Sequence, residues 1–562
     1  MPGLAQLSSA SACILPGRTP GVCTPPHVRK GGRALALGGI LTVGLLVLPP
    51  LATFQLLTGL MPGFVFSVSQ ILDADRGALL SAVACSQSGE ALYRDYAWQY
   101  GPLSIGWYRF FADAFGNTPM TQLFASTVAF GIGWGLLTFQ WMRVLGRWKG
   151  WLAAIILLFP VMLPPLMITN HHGPHGSIEG LLFGLLTWQL SGAKSRWQSV
   201  GVGLTLGLFQ WVRFGPHLAC GLVVAIIWLA EERHEQGSFK LAWRSWRQRL
   251  LGVALAYLAM LAPLAGWFFC ALPWQGALES LWPRYMTAHY VEGGHAHLPP
   301  VLERWHEGVA YALPALVLVP IAVAVATHPR VFARLRAAAP LLLLPLVFAV
   351  SSLVLYRSLH NFFAHAWLPL AGAPLLWLLL NSEARRGALA LAALFAMTWA
   401  GFFGAAATRE HLRSGIALPN GDILWGTATE RAEVGNLRAA ISKIPPRDDG
   451  QAPIVATLMH STGICHFLCV RRPTRTIWVL PEFVRPWEED TAARGFQHAD
   501  AFLFLEDPDP LRVPKPPPSL QRDTVWFPLS PSLRARVLPS VGHVFAVPGY
   551  GYFALNANRE RP

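Results

Sequence analysis

Apolar runs long enough to cross a bilayer recur along most of this chain, and a chain of that kind must bury them in one another or in lipid. Candidate spans fall at 34–58, 119–142, 151–169, 176–190, 249–272, 306–327, 338–356, 362–380 and 386–407. The stretch 199–231 is also apolar, but Arg213, Gly215 and Pro216 interrupt its middle, so it reads as two short spans joined by a turn at RFGPH. With hydrophobic residues at 53% and charged residues at only 13%, a water-soluble globule is excluded. The expected fold class is an all-α polytopic membrane bundle of about 11 transmembrane helices, followed by a C-terminal soluble α/β domain.

Loop charge supports this parsing. Arg143, Arg147 and Lys149 share one loop, Lys194 and Arg196 a second, and Arg233, Lys240, Arg244, Arg247 and Arg249 a third. Arg330, Arg334 and Arg336, then Arg385 and Arg386, complete the basic set. All of them gather on one side, taken as cytoplasmic, only if 199–231 crosses twice. The net charge of +14 is thus a positive-inside bias, and no nucleic-acid partner is expected. Residues 1–32 hold no signal-type apolar core and read as a disordered cytoplasmic tail. The body then spans 33–407, with an acidic outer loop over 59–118, and its multi-pass topology puts the N-terminus in the cytoplasm.

That loop is unlike the rest of the chain. Asp73, Asp75, Glu90 and Asp95 lie where the first span ends, and carboxylates clustered at a membrane boundary point to chemistry or ion binding, or else to a wet loop. Asp73 and Asp75 would diverge by about 200° on a helix and share a face on a strand. Asp95 sits among aromatics in YRDYAWQYGPL, as in a segment lying on the membrane, and Gly101-Pro102 ends it. Beyond residue 408 polar residues rise. PIVATL, TIWVL, AFLFL and HVFAV then read as strands around a helical AEVGNLRAAISKI, giving an extracytoplasmic α/β domain over 408–562. Cys465 and Cys469 in CHFLC could pair or bind metal, although two structural cysteines are the simpler reading.

The order Asp75-Arg76-Gly77, Gly89-Glu90-Ala91-Leu92-Tyr93-Arg94-Asp95 and Tyr100-Gly101-Pro102-Leu103 resembles the outer loop of membrane glycosyltransferases that use polyprenyl-phosphate sugars. These are the C-type fold enzymes of the protein mannosyltransferase and aminoarabinose transferase group. HSTGICHFLCVRRPTRTIWVLPEF also resembles part of that group's outer domain. Arg76 stands where the group usually has Glu, so Asp73 is an alternative counterpart of Asp75. The resemblance implies transfer of a sugar from a polyprenyl-phosphate donor to a lipid, glycan or protein acceptor, outside the cytoplasmic membrane. It further implies Asp75 or Asp73 as general base, Asp95 in support, and Tyr93, Arg94 and Tyr100 at the substrate.

For the leaving phosphate the sequence offers Arg213, Arg284, Arg357 and His360, since a guanidinium fork suits phosphate. No nucleotide-cradling glycine loop occurs, which argues against a nucleotide-sugar donor. A divalent metal is an open alternative at His171, His172, His175 and Glu179, but Gly173-Pro174 breaks the helix that such spacing requires. No other cofactor is expected. Two rivals remain: a transporter or lipid flippase, which the lack of inverted repeats and the outer domain disfavour, and a structural subunit of an envelope assembly.

Overall fold

In the computed structural model, the described residues are 75–98, 100–145, 175–191, 194–283, 410–458, 463–475, 477, 484–504, 530–549 and 551–558, with single positions between 54 and 68. The candidate spans at 34–58, 151–169, 306–327, 338–356, 362–380 and 386–407 lie essentially outside them, as does the expected strand at 476–480 apart from buried Ile477.

The helical part opens with α1 (Asp75–Gln87), α2 (Pro102–Phe115) and α3 (Pro119–Leu145). It continues with α4 (His175–Leu190), α5 (Arg196–Val212), α6 (Pro216–Gln236), α7 (Phe239–Ala271) and the short α8 (Trp274–Leu281). The break expected within 199–231 is present, because Arg213 is extended and Gly215 takes a positive φ of 114° before Pro216 restarts the helix. Among the described residues, two helices are long and apolar enough to cross a membrane, over Pro119–Arg143 and Phe239–Ala271. At 1.5 Å per residue, α4 and α5 reach only about 24 and 26 Å, a little under the hydrocarbon thickness.

Small residues bring the long helices together. A β-carbon on Gly133 of α3 would lie 2.5 Å from the carbonyl oxygen of Gly180 on α4, and one on Gly203 of α5 would lie 2.3 Å from that of Val253 on α7. Such contacts are how apolar helices associate where lipid is as oily as their own side chains. Helix α7 begins at Phe239, ten residues before the expected span at 249–272. The extra turns carry its basic residues outside the apolar stretch. Arg249 then ties three helices together. It contacts Glu232 at 3.0 Å, donates to the Gln198 side-chain oxygen at 2.9 Å, and stacks over Trp228 at 3.8 Å from the ring centre.

The C-terminal part holds a hairpin, β1 (Ser414–Ala417) and β2 (Ile423–Gly426), then α9 (Ala428–Ile441) and β3 (Val455–Leu458). Next come α10 (Gly463–Phe467), α11 (Glu489–Gln497), β4 (Ala501–Phe504), α12 (Pro531–Val537), β5 (Val541–Val547) and β6 (Gly551–Asn556). A four-stranded sheet runs β3-β4-β6-β5, with β3 and β4 parallel and the other pairs antiparallel. Thr427 and Glu430 close a reciprocal capping box on α9, four residues before the helical segment read from periodicity. The hairpin and β6 went unread in sequence because PGYG hides the return strand and the first strands are only four residues long. Cys465 is buried and donates to the Val455 carbonyl at 3.8 Å, while Cys469 is exposed; the two are not bonded to each other.

This β unit is not merely attached. Leu80 of α1 and Leu123 of α3 are buried in one cluster with Ile416, Leu424, Val455, Phe467, Leu503 and Phe553. At the contact, a β-carbon on Gly463 of α10 would sit 2.6 Å from the backbone of Gly77 on α1, so the two segments touch main chain to main chain.

Candidate functional site

The acidic loop folds as a tight scaffold between the helices and the β unit. Tyr93 adopts a left-handed φ of 69°, its amide donates to the Tyr96 carbonyl at 2.7 Å, and its hydroxyl donates to the Tyr100 carbonyl at 2.7 Å. The Tyr93 ring, only 3% exposed, lies edge-on to Phe268 and Trp267 of α7. Burial raises its phenol well above the ordinary range and pushes Tyr96 up to about 12, so both stay neutral as packing groups. Asp95 accepts from the Ala91 amide at 2.8 Å and from the exposed Arg94, and these bonds hold its carboxyl well below the usual carboxylate range. Tyr100 is half-buried, with its ring edge-on to Trp98.

The loop is latched from the β unit by two arginines that sequence reasoning passed over. Arg472 pairs with Glu90, donates to the Thr474 carbonyl at 2.7 Å, and lies 5.9 Å over the Tyr96 ring. Arg475 donates to the Tyr93 carbonyl at 2.8 Å and pairs with Glu488 at 3.2 Å, and its carbonyl accepts from Ala97 at 2.7 Å. Both lie in the RRPTR stretch, within the second segment that carried the family resemblance. The structure thus docks the two resembling segments on each other. Arg472→Ala removes a charge-assisted bond to Glu90, worth about 1.5–3 kcal/mol for bonds of this kind. A lower melting temperature in detergent and faster protease cleavage within 88–100 are the expected results.

Further polar groups lie at the start of α1, on α4 and at the α5–α6 break. Asp75 is the first residue of α1, and Arg76, next to it, is buried at 5% exposure. Burial pulls the Arg76 guanidinium down to about 10, which still leaves it charged at neutral pH. Its carbonyl accepts from the Gln122 side chain at 3.2 Å. The Tyr108 hydroxyl stands 3.1 Å from that of Ser177 on the first turn of α4. Two residues further along α4, Glu179 meets Arg213 at the α5–α6 break, Nε to Oε1 at 2.9 Å and Nη2 donating to Oε2 at 3.4 Å. Gly101 ties the loop to the α5–α6 break, since its amide donates to the Val212 carbonyl at 2.8 Å, next to Arg213.

Of the residues picked from sequence, Asp75, Tyr93, Arg94, Asp95, Tyr100 and Arg213 fall among the described residues. Asp73, Arg284, Arg357, His360, His171 and His172 lie outside them. His175 opens α4 directly after Pro174, and the Glu179 carboxylate faces Arg213. Among the described residues no group of three or more His, Cys, Asp or Glu is arranged to hold a metal ion.

Burial also pulls His466 on α10 down to about 4. The folded chain therefore favours the neutral ring, while an unfolded histidine takes up its proton near pH 6.5. This contribution is present above pH 6.5 and is lost as pH falls from there towards 4. Melting temperature should drop over that interval, and His466→Gln should flatten the drop.

The sequence matches no protein-family model and no curated protein. Solved structures similar in fold include two of one protein. ArnT from Cupriavidus metallidurans bound to undecaprenyl phosphate has a TM-score of 0.52 at 14% identity, over 92% of this chain and 98% of that one. The apo state of ArnT from the same organism has a TM-score of 0.50 at 14% identity, over 94% and 100%. The chain shares the C-type glycosyltransferase fold of these polytopic membrane proteins.

Proposed function

We propose that this chain is an integral-membrane glycosyltransferase that moves a sugar from a polyprenyl-phosphate donor to an acceptor at the outer face of a cytoplasmic membrane. The observation that carries the reading is the Arg213–Glu179 pair at a helix break, together with Asp75 at the head of α1 next to buried Arg76 in sequence, on a fold shared with ArnT. In this reading Asp75 takes the proton of the acceptor hydroxyl as its oxygen attacks the anomeric carbon. The bond from that carbon to the phosphate oxygen breaks, and polyprenyl phosphate leaves with the electron pair. Arg213, oriented by Glu179, and Arg76 offset the charge that develops on the departing phosphate. Tyr93, Asp95 and Glu90 then serve as positioning residues, because their polar groups are engaged within the loop or by the β unit.

The same reading places residues 1–32 in the cytoplasm, the bundle over 33–407 in the membrane, and 408–562 outside it, in the cell envelope. Purified chain in nanodiscs, given a polyprenyl-phosphate sugar and envelope acceptors, is expected to release polyprenyl phosphate and form a glycosylated product detectable by mass spectrometry. Solute uptake into proteoliposomes with no glycan product would overturn it.

A further inference from the structure

The first turns of α7 stand apart from the machinery above. The helix has 33 residues, about 50 Å at 1.5 Å each, against roughly 30 Å of hydrocarbon, so its first ten or so residues extend beyond the apolar layer. Lys240, Arg244 and Arg247 follow one another at i, i+4 and i+7, and all three are exposed. One position earlier, Phe239, Trp243 and Trp246 form a neighbouring stripe at the same spacing. Phe239 stacks on Trp243 at 6.0 Å and Trp243 lies tilted against Trp246 at 4.5 Å, while Trp246 donates to the Ala225 carbonyl at 2.7 Å and pins the stripe to α6.

Phe239 is 56% exposed and Trp243 40%, a surface that water does not favour. No acidic residue occurs in the sequence between Glu235 and Glu279. The acids on the adjoining end of α6, Glu231, Glu232 and Glu235, are already met by Lys194 and Arg249. Arg233 extends the basic side over the Phe239 ring at 6.0 Å. Exposed aromatics beside cations with no acid among them match the boundary layer of a bilayer, where rings sit at headgroup depth and cations meet phosphate.

We propose that the Phe239–Arg247 turn of α7 is a binding surface for anionic phospholipid, with Lys240, Arg244 and Arg247 on the headgroup phosphate and Phe239 and Trp243 at the acyl boundary. The surface is independent of the transfer reaction. It is tested by native mass spectrometry of the full chain in detergent, offered equal amounts of phosphatidylglycerol and phosphatidylcholine. Preferential retention of phosphatidylglycerol is expected, and the triple variant K240Q/R244Q/R247Q should lose that preference by roughly fivefold per neutralised charge.

The pair R244K/R247K should keep the preference, and Trp243→Ala should lower retention of both lipids together. High salt should weaken phosphatidylglycerol retention by the unaltered chain, a readout that needs no variant to fold. Equal retention of the two lipids by the unaltered chain overturns the proposal, as does an unchanged ratio in the triple variant. Displacement of the lipid by soluble glycerol phosphate at equal concentration also overturns it, because the site would then take a free anion.

Discussion

Asp75→Asn is expected to lower turnover by about 10²–10⁴-fold, the usual contribution of a positioned general base. Asparagine keeps the size of aspartate but cannot accept the proton of the acceptor hydroxyl. If Asp75 acts only in the transition state, the loss falls on kcat and leaves KM for the lipid donor nearly unchanged. The measurement is the rate of polyprenyl phosphate release, with Asp73→Asn assayed beside it. Asp75 heads α1 two residues before Gly77, the point where α10 touches the helix main chain to main chain. Its backbone is therefore braced by the β unit. Full activity in Asp75→Asn would remove it from the mechanism.

Gly101→Val should abolish accumulation of folded protein. A β-carbon at this position would lie 2.0 Å from the Trp211 carbonyl oxygen and 2.9 Å from the Val212 nitrogen, so backbone and not a movable side chain is in the way. Relief requires α2 and α5 to separate. That would break the Gly101 to Val212 hydrogen bond and disturb Arg213 one residue on, well above the 1–3 kcal/mol of ordinary overpacking. The control lies in α2, the helix that Gly101 caps. A β-carbon on Gly106 meets nothing within 4 Å, so Gly106→Ala should melt at the same temperature or slightly higher. Melting curves and yields of the two variants in one detergent separate a steric effect at Gly101 from a general intolerance of α2.

Much of the helical plan was legible because bilayer thickness translates directly into run length, and because RFGPH carries its own stop signals in Arg213, Gly215 and Pro216. The ends were less legible. Phe239–Arg249 is helical, yet its charges kept it out of an apolar run, and α9 begins at a capping box that hydrophobic periodicity does not register. The site divides in the same way. Arg213 stood out as a charge in an oily chain and is engaged by Glu179 at the helix break, while Tyr93 and Asp95, equally prominent as letters, are bonded within their own loop. Arg472 and Arg475 lie more than three hundred residues from the carboxylate and carbonyl that they hold, and nothing local in RRPTR announces those partners.

Composition and run length by themselves pointed to a mostly helical, membrane-type chain with a cluster of acids after its first apolar run, since the cost of placing charge or bare backbone in hydrocarbon acts on each segment separately. Only the tertiary structure decided which partners those polar residues take across an interface. Pairing a buried charge or closing a backbone contact depends on what lies across the interface, as Glu179 does for Arg213 and Gly77 for Gly463.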